Sequence, residues 1–220
     1  MAIVIRTPKE IAKMRHSGAA LRGVLDVLKS SIAPGMTTMD LEKLAEAKIA
    51  DAGAIAAFKG YHDYPCVLCT SVNSEVVHGI PSAKRILREG DVVSIDCGLI
   101  IDGYYSDSAI TLPVGKISEA AQSLLEATER SLQAAIGTVK PGATLGDVGA
   151  AVQEVAESAG FSVVREFVGH GIGTQMHEEP QIPNYGRRGQ GIKLREGMVL
   201  AIEPMVNAGQ HTVRVLEDGW

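Results

Sequence analysis

Two similar stretches of this chain each end an apolar run with a carboxylate. Residues 87–96 (LREGDVVSID) and 194–203 (LREGMVLAIE) match at six positions and begin 107 residues apart. The chain therefore contains a duplicated half-domain, and each half presents one acid, Asp96 or Glu203, at the end of a predicted strand. Two such copies predict a site where the halves meet, and its oxygen ligands favour a divalent metal ion.

A second acid follows Asp96 across a predicted hairpin. The run VVSIDCGLII meets Asp102-Gly103, a strong two-residue hairpin signal, and the chain returns as YYSDSAITL. This register places Asp107 opposite Gly98, on the same face as Asp96 and about 7–8 Å from it along a diagonal. Asp107 alone is also compatible with a solvated hairpin acid, but an acid that follows VVSI is costly to bury without a partner. The pair predicts a metal site.

A histidine flanked by glycines is the candidate nitrogen ligand. Residues 169–173 read GHGIG, and HEEP follows at 177–180. A lone histidine is more often structural than a ligand. His170, however, precedes the strand of Glu203, the repeat-mate of Asp96, and this favours a ligand role. Neither GxGxxG nor a GxxxxGKS or GxxxxGKT sequence occurs, so the glycines do not indicate a dinucleotide or phosphate loop.

The repeat also predicts the elements that must position these residues. Each half begins with a helix, near Thr7 and near Ser118, and continues through a Pro-Gly turn into a second helix and then strands. The second helices run from capping threonines to terminal glycines: Thr37 to Gly53 and Thr144 to Gly160. The apolar stripe expected on the third helix comprises Leu124, Leu125, Leu132 and Ile136.

This order of elements predicts an α+β fold with helices on one face of a mostly antiparallel sheet. At 220 residues, the chain has the length of one compact domain. We therefore expect a single catalytic domain, 1–220, made of two pseudo-symmetric half-repeats of about 1–113 and 114–220.

Composition and charge exclude several classes of protein. The chain is 45% hydrophobic and has a formal net charge of −5. This charge does not indicate the basic surface that a nucleic-acid-binding protein needs. No apolar run approaches the roughly 18 residues that span a bilayer, and the N-terminus has no signal-peptide core, so we expect a cytoplasmic protein. Three cysteines agree with a reducing compartment, and Cys66 and Cys69 lie in an apolar run, where cysteine acts as a small hydrophobe.

Seven motifs in combination resemble those of type I methionine aminopeptidases, which adopt the pita-bread fold. They extend over essentially the whole chain: GYHDYP at 60–65, VVHGIP at 76–81, SIDCG at 94–98, DGYYSDSA at 102–109, GHGIG at 169–173, HEEP at 177–180 and IEPM at 202–205. The resemblance implies removal of the initiator methionine from nascent chains by a two-metal site. It also implies a monomer whose partners are the N-terminal methionine of nascent peptides and the ribosome.

The resemblance implies four metal ligands in this sequence. Asp96 and Asp107 resemble the ligands of one ion, and Asp107 bridges to a second. His170 and Glu203 resemble the ligands of that second ion, and Glu203 also shuttles a proton. The implied cofactors are two divalent ions, Co, Mn, Fe or Zn. Such ions, about 3.5–4 Å apart, lower the pKa of a bridging water and polarise the scissile carbonyl.

The resemblance also implies the residues that contact substrate. His78 and His177 resemble the two histidines that contact the substrate amide and stabilise the tetrahedral intermediate without binding metal. The positions that match the pocket for the methionine side chain are Tyr61, Tyr64, Cys69 and Trp220. Phe58 and Met176 depart from the family pattern, because the first position is often small and the second often aromatic.

The second half ends where its return strand would begin. The sequence contains no counterpart of the Asp107 strand after residues 217–220, so we expect a truncated form. The resemblance implies that the missing region carries a glutamate that bridges both metal ions. We therefore expect this form to bind at least one metal more loosely and to be less active and less stable. Two alternatives stay open. One is a catalytically impaired binding module on the same scaffold, and the other is a proline-specific aminopeptidase or prolidase, which usually carries an extra N-terminal domain.

Overall fold

The computed structural model describes residues 2–217. These residues form two compact units. The unit that we call the N-terminal unit contains residues 9–118, 173–176 and 215–217, and the C-terminal unit contains residues 2–8, 119–172 and 177–214. Each unit has two long helices followed by strands, and every pairing of named strands is antiparallel. The predicted α+β class and the repeated order of elements are confirmed, while the single-domain assignment stays a prediction.

The helices of the N-terminal unit begin at the residues that carry capping signals. Helix α1 (Pro8–Ser31) starts at the proline of the Thr7-Pro8 signal, where a proline costs no hydrogen bond. Helix α2 (Thr38–Asp51) follows a capping box, because the Thr37 hydroxyl accepts from the Asp40 amide and the Asp40 carboxylate accepts from the Thr37 amide.

The sheet of this unit is built around one long strand. Strands β1 (Ile55–Ala56), β2 (Leu68–Val72) and β4 (Tyr104–Pro113) all pair with β3 (Val92–Ile101). The β3–β4 hairpin turns at Asp102 (φ 52°) and Gly103 (φ 78°), as the two-residue signal predicts. Gly98 pairs with Asp107, so the predicted register is confirmed.

The two faces of β3 differ in character. Val93, Ile95 and alternate residues beyond them are fully buried in a core that they share with α1 and α2. Burial of each large aliphatic side chain contributes about 1.5–3 kcal/mol, which fixes this face of the strand. Because side chains alternate along a strand, Asp96 projects from the opposite face. The helices therefore cover one face of the sheet, and the carboxylates lie on the other.

The C-terminal unit repeats this plan with shorter strands. Its elements are α3 (Glu119–Thr138), α4 (Leu145–Ser158), β5 (Ser162–Val163), β6 (Gly169–Gly171), β7 (Glu178–Ile182), β8 (Leu200–Ala201) and β9 (Val206–Asn207). Thr144 and Asp147 form a second capping box in front of α4. The strands form a sheet in the order β7-β6-β8 and a separate β5–β9 pair.

Two details of the C-terminal unit differ from the sequence prediction. The residues buried on α3 are Ala127, Ser131 and Ala135, whereas Ile136 is 49% exposed. Small side chains form this stripe because α3 packs closely against α4, where Ala135 joins the apolar core. The strand expected to end at Glu203 is only two residues long, because within the described residues β8 pairs with β6 alone, while β3 has partners along both edges.

Among residues 2–217, no helix is both long and apolar enough to cross a membrane.

Candidate functional site

The β3–β4 hairpin brings two carboxylates onto one face of the N-terminal unit. Asp96 pairs with Ala109 and Asp107 with Gly98, so the two acids are diagonal neighbours. Both residues are half-buried. Neighbouring carboxylates repel each other when both are ionised, and a cation between them relieves the repulsion. Anionic oxygens are the ligands that hard and intermediate divalent ions prefer.

The C-terminal unit contains an imidazole that faces a carboxylate. His170, in β6, is 8% exposed, and its Nδ1 lies 2.8 Å from the carbonyl oxygen of Gly171. A carbonyl oxygen only accepts, so Nδ1 carries a proton, and Nε2 has a lone pair when the ring is neutral. That Nε2 lies 3.3 Å from Oε1 of Glu203. An imidazole lone pair and a carboxylate oxygen that face each other fit a divalent cation, and the bond from Nδ1 orients the ring.

The glycines around His170 are explained by close packing of strands. A Cβ atom on Gly169 would lie 2.2 Å from the carbonyl oxygen of Ala201 in β8, and one on Gly171 would lie 2.3 Å from that of Glu179 in β7. Only residues without a Cβ atom allow both neighbouring backbones to approach β6 this closely. The GHGIG motif therefore places an imidazole within a tightly packed three-stranded sheet.

The backbone that carries Glu203 is tied to the loop after β7. Asn184, which is 1% exposed, donates from its side-chain amide to the carbonyl oxygen of Glu203 at 2.7 Å. This bond fixes the backbone of Glu203 two residues beyond the end of β8.

His177 is an exposed residue directly before β7, and its ring contacts that of His170. The ring centroids are 4.3 Å apart, and the rings meet edge to face at 64°. The next residue, Glu178, accepts hydrogen bonds through both carboxylate oxygens from Nη2 of Arg6. The side chains of Arg6 and Glu178 are 5% and 9% exposed, so this ion pair is buried. The Arg6 amide also donates to the carbonyl oxygen of Gly197 at 2.8 Å.

We expect Arg6→Met to destabilise the C-terminal unit. The substitution leaves the buried Glu178 carboxylate without its guanidinium, which typically costs about 3–5 kcal/mol of the free energy of unfolding. Urea denaturation followed by circular dichroism measures this loss. The matched control is Arg188→Met, which breaks the exposed Arg188–Glu154 pair and should leave the midpoint unchanged. Equal midpoints for the two variants would contradict a structural role for the Arg6–Glu178 pair.

His78 lies in the loop that follows β2 and is half-buried. Burial lowers the pKa of its imidazole, so the ring is neutral at pH 7 and has one donor and one acceptor nitrogen. Both Val77 and His78 have φ of 46°, a left-handed backbone conformation that is uncommon outside glycine. Such conformations cluster at functional sites, where surrounding contacts maintain them.

Three of the four residues predicted to surround the methionine side chain occur in one cluster of the N-terminal unit. Tyr64 and Cys69 are buried in it with Phe58 and Met176, and Tyr61 packs against its edge. The large Phe58 side chain and the flexible Met176 side chain thus fill the same region. Trp220, the fourth predicted residue, lies outside the described residues.

The Tyr64 hydroxyl forms hydrogen bonds within the protein, and both this hydroxyl and the Cys69 thiol stay uncharged. The Tyr64 hydroxyl lies 2.9 Å from the carbonyl oxygen of Leu68 and 3.1 Å from that of Gly79, and burial raises the pKa of this phenol. Cys69 pairs directly with Asp96 in the β2–β3 register. Burial and then the Asp96 carboxylate raise the pKa of the Cys69 thiol. Both groups therefore stay neutral and can line an apolar surface.

The CxxC pair has the properties of buried small hydrophobes. Cys66 and Cys69 are free and buried, and burial raises the pKa of Cys66 to about 11. Metal binding and redox reactions of cysteine require the thiolate, which these environments disfavour. The sequence interpretation of the pair is supported by this burial.

Sequence reasoning missed Arg6, Glu178 as its partner, and the residues that hold the His78 loop. Arg6 and Glu178 are 172 residues apart, and no periodicity or motif links them. Glu178 belongs to the HEEP motif, but the motif alone does not reveal that its carboxylate is buried against an arginine.

The chain matches one protein family over nearly its whole length. The sequence profile of metallopeptidase family M24 matches residues 12–219. Among curated relatives, methionine aminopeptidase from Clostridium acetobutylicum is 47% identical over 218 residues, which cover 99% of this chain and 87% of the relative. Methionine aminopeptidase 1 from Bacillus subtilis is 48% identical over 218 residues, which cover 99% and 88%.

Comparison with solved structures also relates the chain to methionine aminopeptidases. The crystal structure of methionine aminopeptidase from Thermotoga maritima has a TM-score of 0.98 at 47% identity, covering 100% of this chain and 88% of that chain. Prolidase from Pyrococcus furiosus has a TM-score of 0.77 at 25% identity, covering 91% and 57%. The chain is therefore more similar to these methionine aminopeptidases than to this prolidase, both in sequence and in fold.

Proposed function

Because the chain belongs to metallopeptidase family M24, we propose that it is a metal-dependent aminopeptidase that removes the initiator methionine from nascent polypeptides. The reaction is hydrolysis of the first peptide bond. The observation that carries this conclusion is 43–48% identity to curated methionine aminopeptidases over at least 99% of the chain. The carboxylates of the β3–β4 hairpin and the His170–Glu203 pair supply the donor atoms that such an enzyme needs.

Divalent metal use follows from the family and from the donor chemistry. The finer proposal is that Asp96, Asp107, His170 and Glu203 bind two ions, whose identity is Co, Mn, Fe or Zn. Three carboxylates and one imidazole support this set, because oxygen and nitrogen donors suit intermediate divalent ions. Bound divalent ions supply Lewis acidity, which polarises a peptide carbonyl and lowers the pKa of water.

In this proposal, Glu203 transfers protons, whereas His78 and His177 bind the substrate. Glu203 accepts a proton from the attacking water and delivers it to the leaving amine. His78 and His177 donate hydrogen bonds to the substrate amide and to the tetrahedral intermediate. The neutral ring of His78 supports this role, since a neutral imidazole donates without adding a charge. The methionine side chain is proposed to contact Tyr61, Tyr64, Cys69 and Trp220.

We further propose a cytoplasmic monomer that acts on chains as they leave the ribosome. Three free, buried cysteines support a reducing compartment. The proposed substrate, a newly made N-terminal methionine, places the reaction where synthesis occurs.

The decisive experiment measures hydrolysis of Met-Ala-Ser by the purified chain after metal removal and reconstitution. We expect no activity after treatment with a chelator and recovery with Mn or Co. N-acetyl-Met-Ala-Ser should not be cleaved, because an aminopeptidase requires the free amine. An Xaa-Pro dipeptide serves as the prolidase substrate. Faster cleavage of that dipeptide, or no cleavage of any substrate with any cation, would overturn the proposal.

A further inference from the structure

The loop that presents His78 has a backbone conformation that needs support. Val77 and His78 are consecutive residues with φ of 46°. Left-handed conformations are disfavoured for residues with a Cβ atom, most of all for a β-branched residue such as Val77. Contacts from elsewhere in the N-terminal unit must therefore stabilise this turn.

Ser71, in the neighbouring strand β2, bonds to the residues on both sides of His78. Its hydroxyl donates to the carbonyl oxygen of Val77 at 2.9 Å and accepts from the amide of Gly79 at 3.2 Å. Ser71 is 3% exposed, so water does not compete for these bonds. A single hydroxyl thus uses both its donor and an acceptor lone pair to fix the peptide groups around one histidine.

The same loop is packed closely against β2 at Gly79. The Thr70 amide donates to the carbonyl oxygen of Gly79 at 2.7 Å. A Cβ atom on Gly79 would lie 2.4 Å from the carbonyl oxygen of Thr70, so the two backbones are in direct contact. These contacts fix the chain after His78, and Ser71 adds the bond to the residue before it.

The internal repeat gives independent support for the position of Ser71. Ser71 pairs with Ser94, and His170 pairs with Ala201, the repeat-mate of Ser94 at the offset of 107 residues. Ser71 and His170 therefore occupy corresponding positions in the two halves. The histidines that follow them, at positions 78 and 177, both lie seven residues further along the chain. In each half, this strand position contacts the histidine or its peptide groups.

We propose that Ser71 is a positioning residue, which orients His78 toward the substrate by fixing the peptide groups on both sides of it. This rests on the proposed function, in which His78 contacts the substrate amide. Ser71 itself touches neither substrate nor metal. A purely structural hydroxyl would support the fold without selectively affecting the step that His78 assists.

The experiment compares Ser71→Ala with Thr70→Val. Thr70 is the adjacent residue of β2 and is 2% exposed, and its hydroxyl forms no hydrogen bond within the described residues. Small misplacements of a catalytic group reduce the rate by up to about 100-fold, so we expect Ser71→Ala to lower kcat by about 10- to 100-fold. KM for Met-Ala-Ser and metal content should stay unchanged. Thr70→Val should leave all three quantities as in the wild type.

A second comparison separates positioning from general stability. In a His78→Ala background, Ser71→Ala should lower kcat no further, because its effect acts through the missing imidazole. Equal losses in the two backgrounds would overturn the proposal. Hydrogen exchange supplies a readout besides activity: the Gly79 amide should exchange faster in Ser71→Ala than in Thr70→Val. An unchanged exchange rate would also overturn it.

Two further outcomes remain interpretable. If Ser71→Ala does not fold, Ser71→Cys, which keeps a side chain of similar size but bonds more weakly, should fall between wild type and the expected loss. Wild-type kcat in Ser71→Cys would count against the proposal. An inactive wild-type chain would overturn the proposed function and the role of Ser71 with it, whereas additive losses in an active chain would overturn the role of Ser71 alone.

Discussion

Asp107→Asn is expected to abolish both metal binding and hydrolysis of Met-Ala-Ser. The substitution preserves the size of the side chain but replaces an anionic oxygen donor with a neutral amide. Loss of residues that merely support a metal ligand costs about 10- to 100-fold in affinity or activity, so loss of a ligand should cost at least that much. Metal content after dialysis, measured by inductively coupled plasma mass spectrometry, and peptide hydrolysis check the prediction. Asp96→Asn should behave in the same way.

The matched control is Asp102→Asn in the same hairpin. Asp102 occupies the turn at φ of 52°, a conformation that asparagine adopts readily, so the hairpin should keep its register. Metal content and rate should equal those of the wild type. If Asp107→Asn retained its full metal content while Asp102→Asn did the same, Asp107 would be a solvated hairpin acid and the ligand set would need revision.

Local signals explain why the carboxylate pair could be predicted from the sequence. The Asp102-Gly103 turn has two residues, which leaves one register for the flanking strands, and that register decides that Asp107 faces Gly98. Thr37 and Thr144 likewise act on residues three positions away. Features determined within a few residues of the chain can be predicted from the amino-acid sequence alone.

Features that depend on contacts between distant segments cannot be predicted in this way. The apolar pattern of α3 predicts that Ile136 is buried, but packing against α4 selects the small residue Ala135 instead. The ion pair of Arg6 with Glu178 joins residues 172 positions apart, and no local pattern specifies it. Such partners are selected by the folded geometry, because the sequence around a charged residue does not specify which distant segment packs against it.

The two halves share one order of elements but supply different metal-donor atoms. In the N-terminal unit, a strand with partners on both edges carries Asp96, and a long return strand adds Asp107. In the C-terminal unit, the corresponding strand is two residues long within the described region, and the nitrogen donor comes from the adjacent strand β6. The repeat therefore predicts where donors arise, while the pairing of each strand decides which residues supply them.

His177→Ala and His78→Ala are expected to lower kcat while leaving metal content unchanged. Removal of one hydrogen-bond donor to a developing oxyanion costs about 100- to 1,000-fold in kcat, and we expect a loss of this size for each histidine. Single-turnover kinetics with Met-Ala-Ser, together with metal analysis of each variant, provide the measurement. The control is His16→Ala, an exposed position of α1 at which the same substitution should change neither quantity.

The metal analysis decides between two roles for His177 in particular. Its ring contacts that of His170, the proposed ligand, but edge-to-face packing at 4.3 Å does not require that both rings bind the same ion. A histidine that acts on substrate can be removed without loss of metal, because the carboxylates and His170 still supply the donor atoms. Loss of one equivalent of metal in His177→Ala, but not in His16→Ala, would make His177 a ligand and transfer the substrate role to His78 alone.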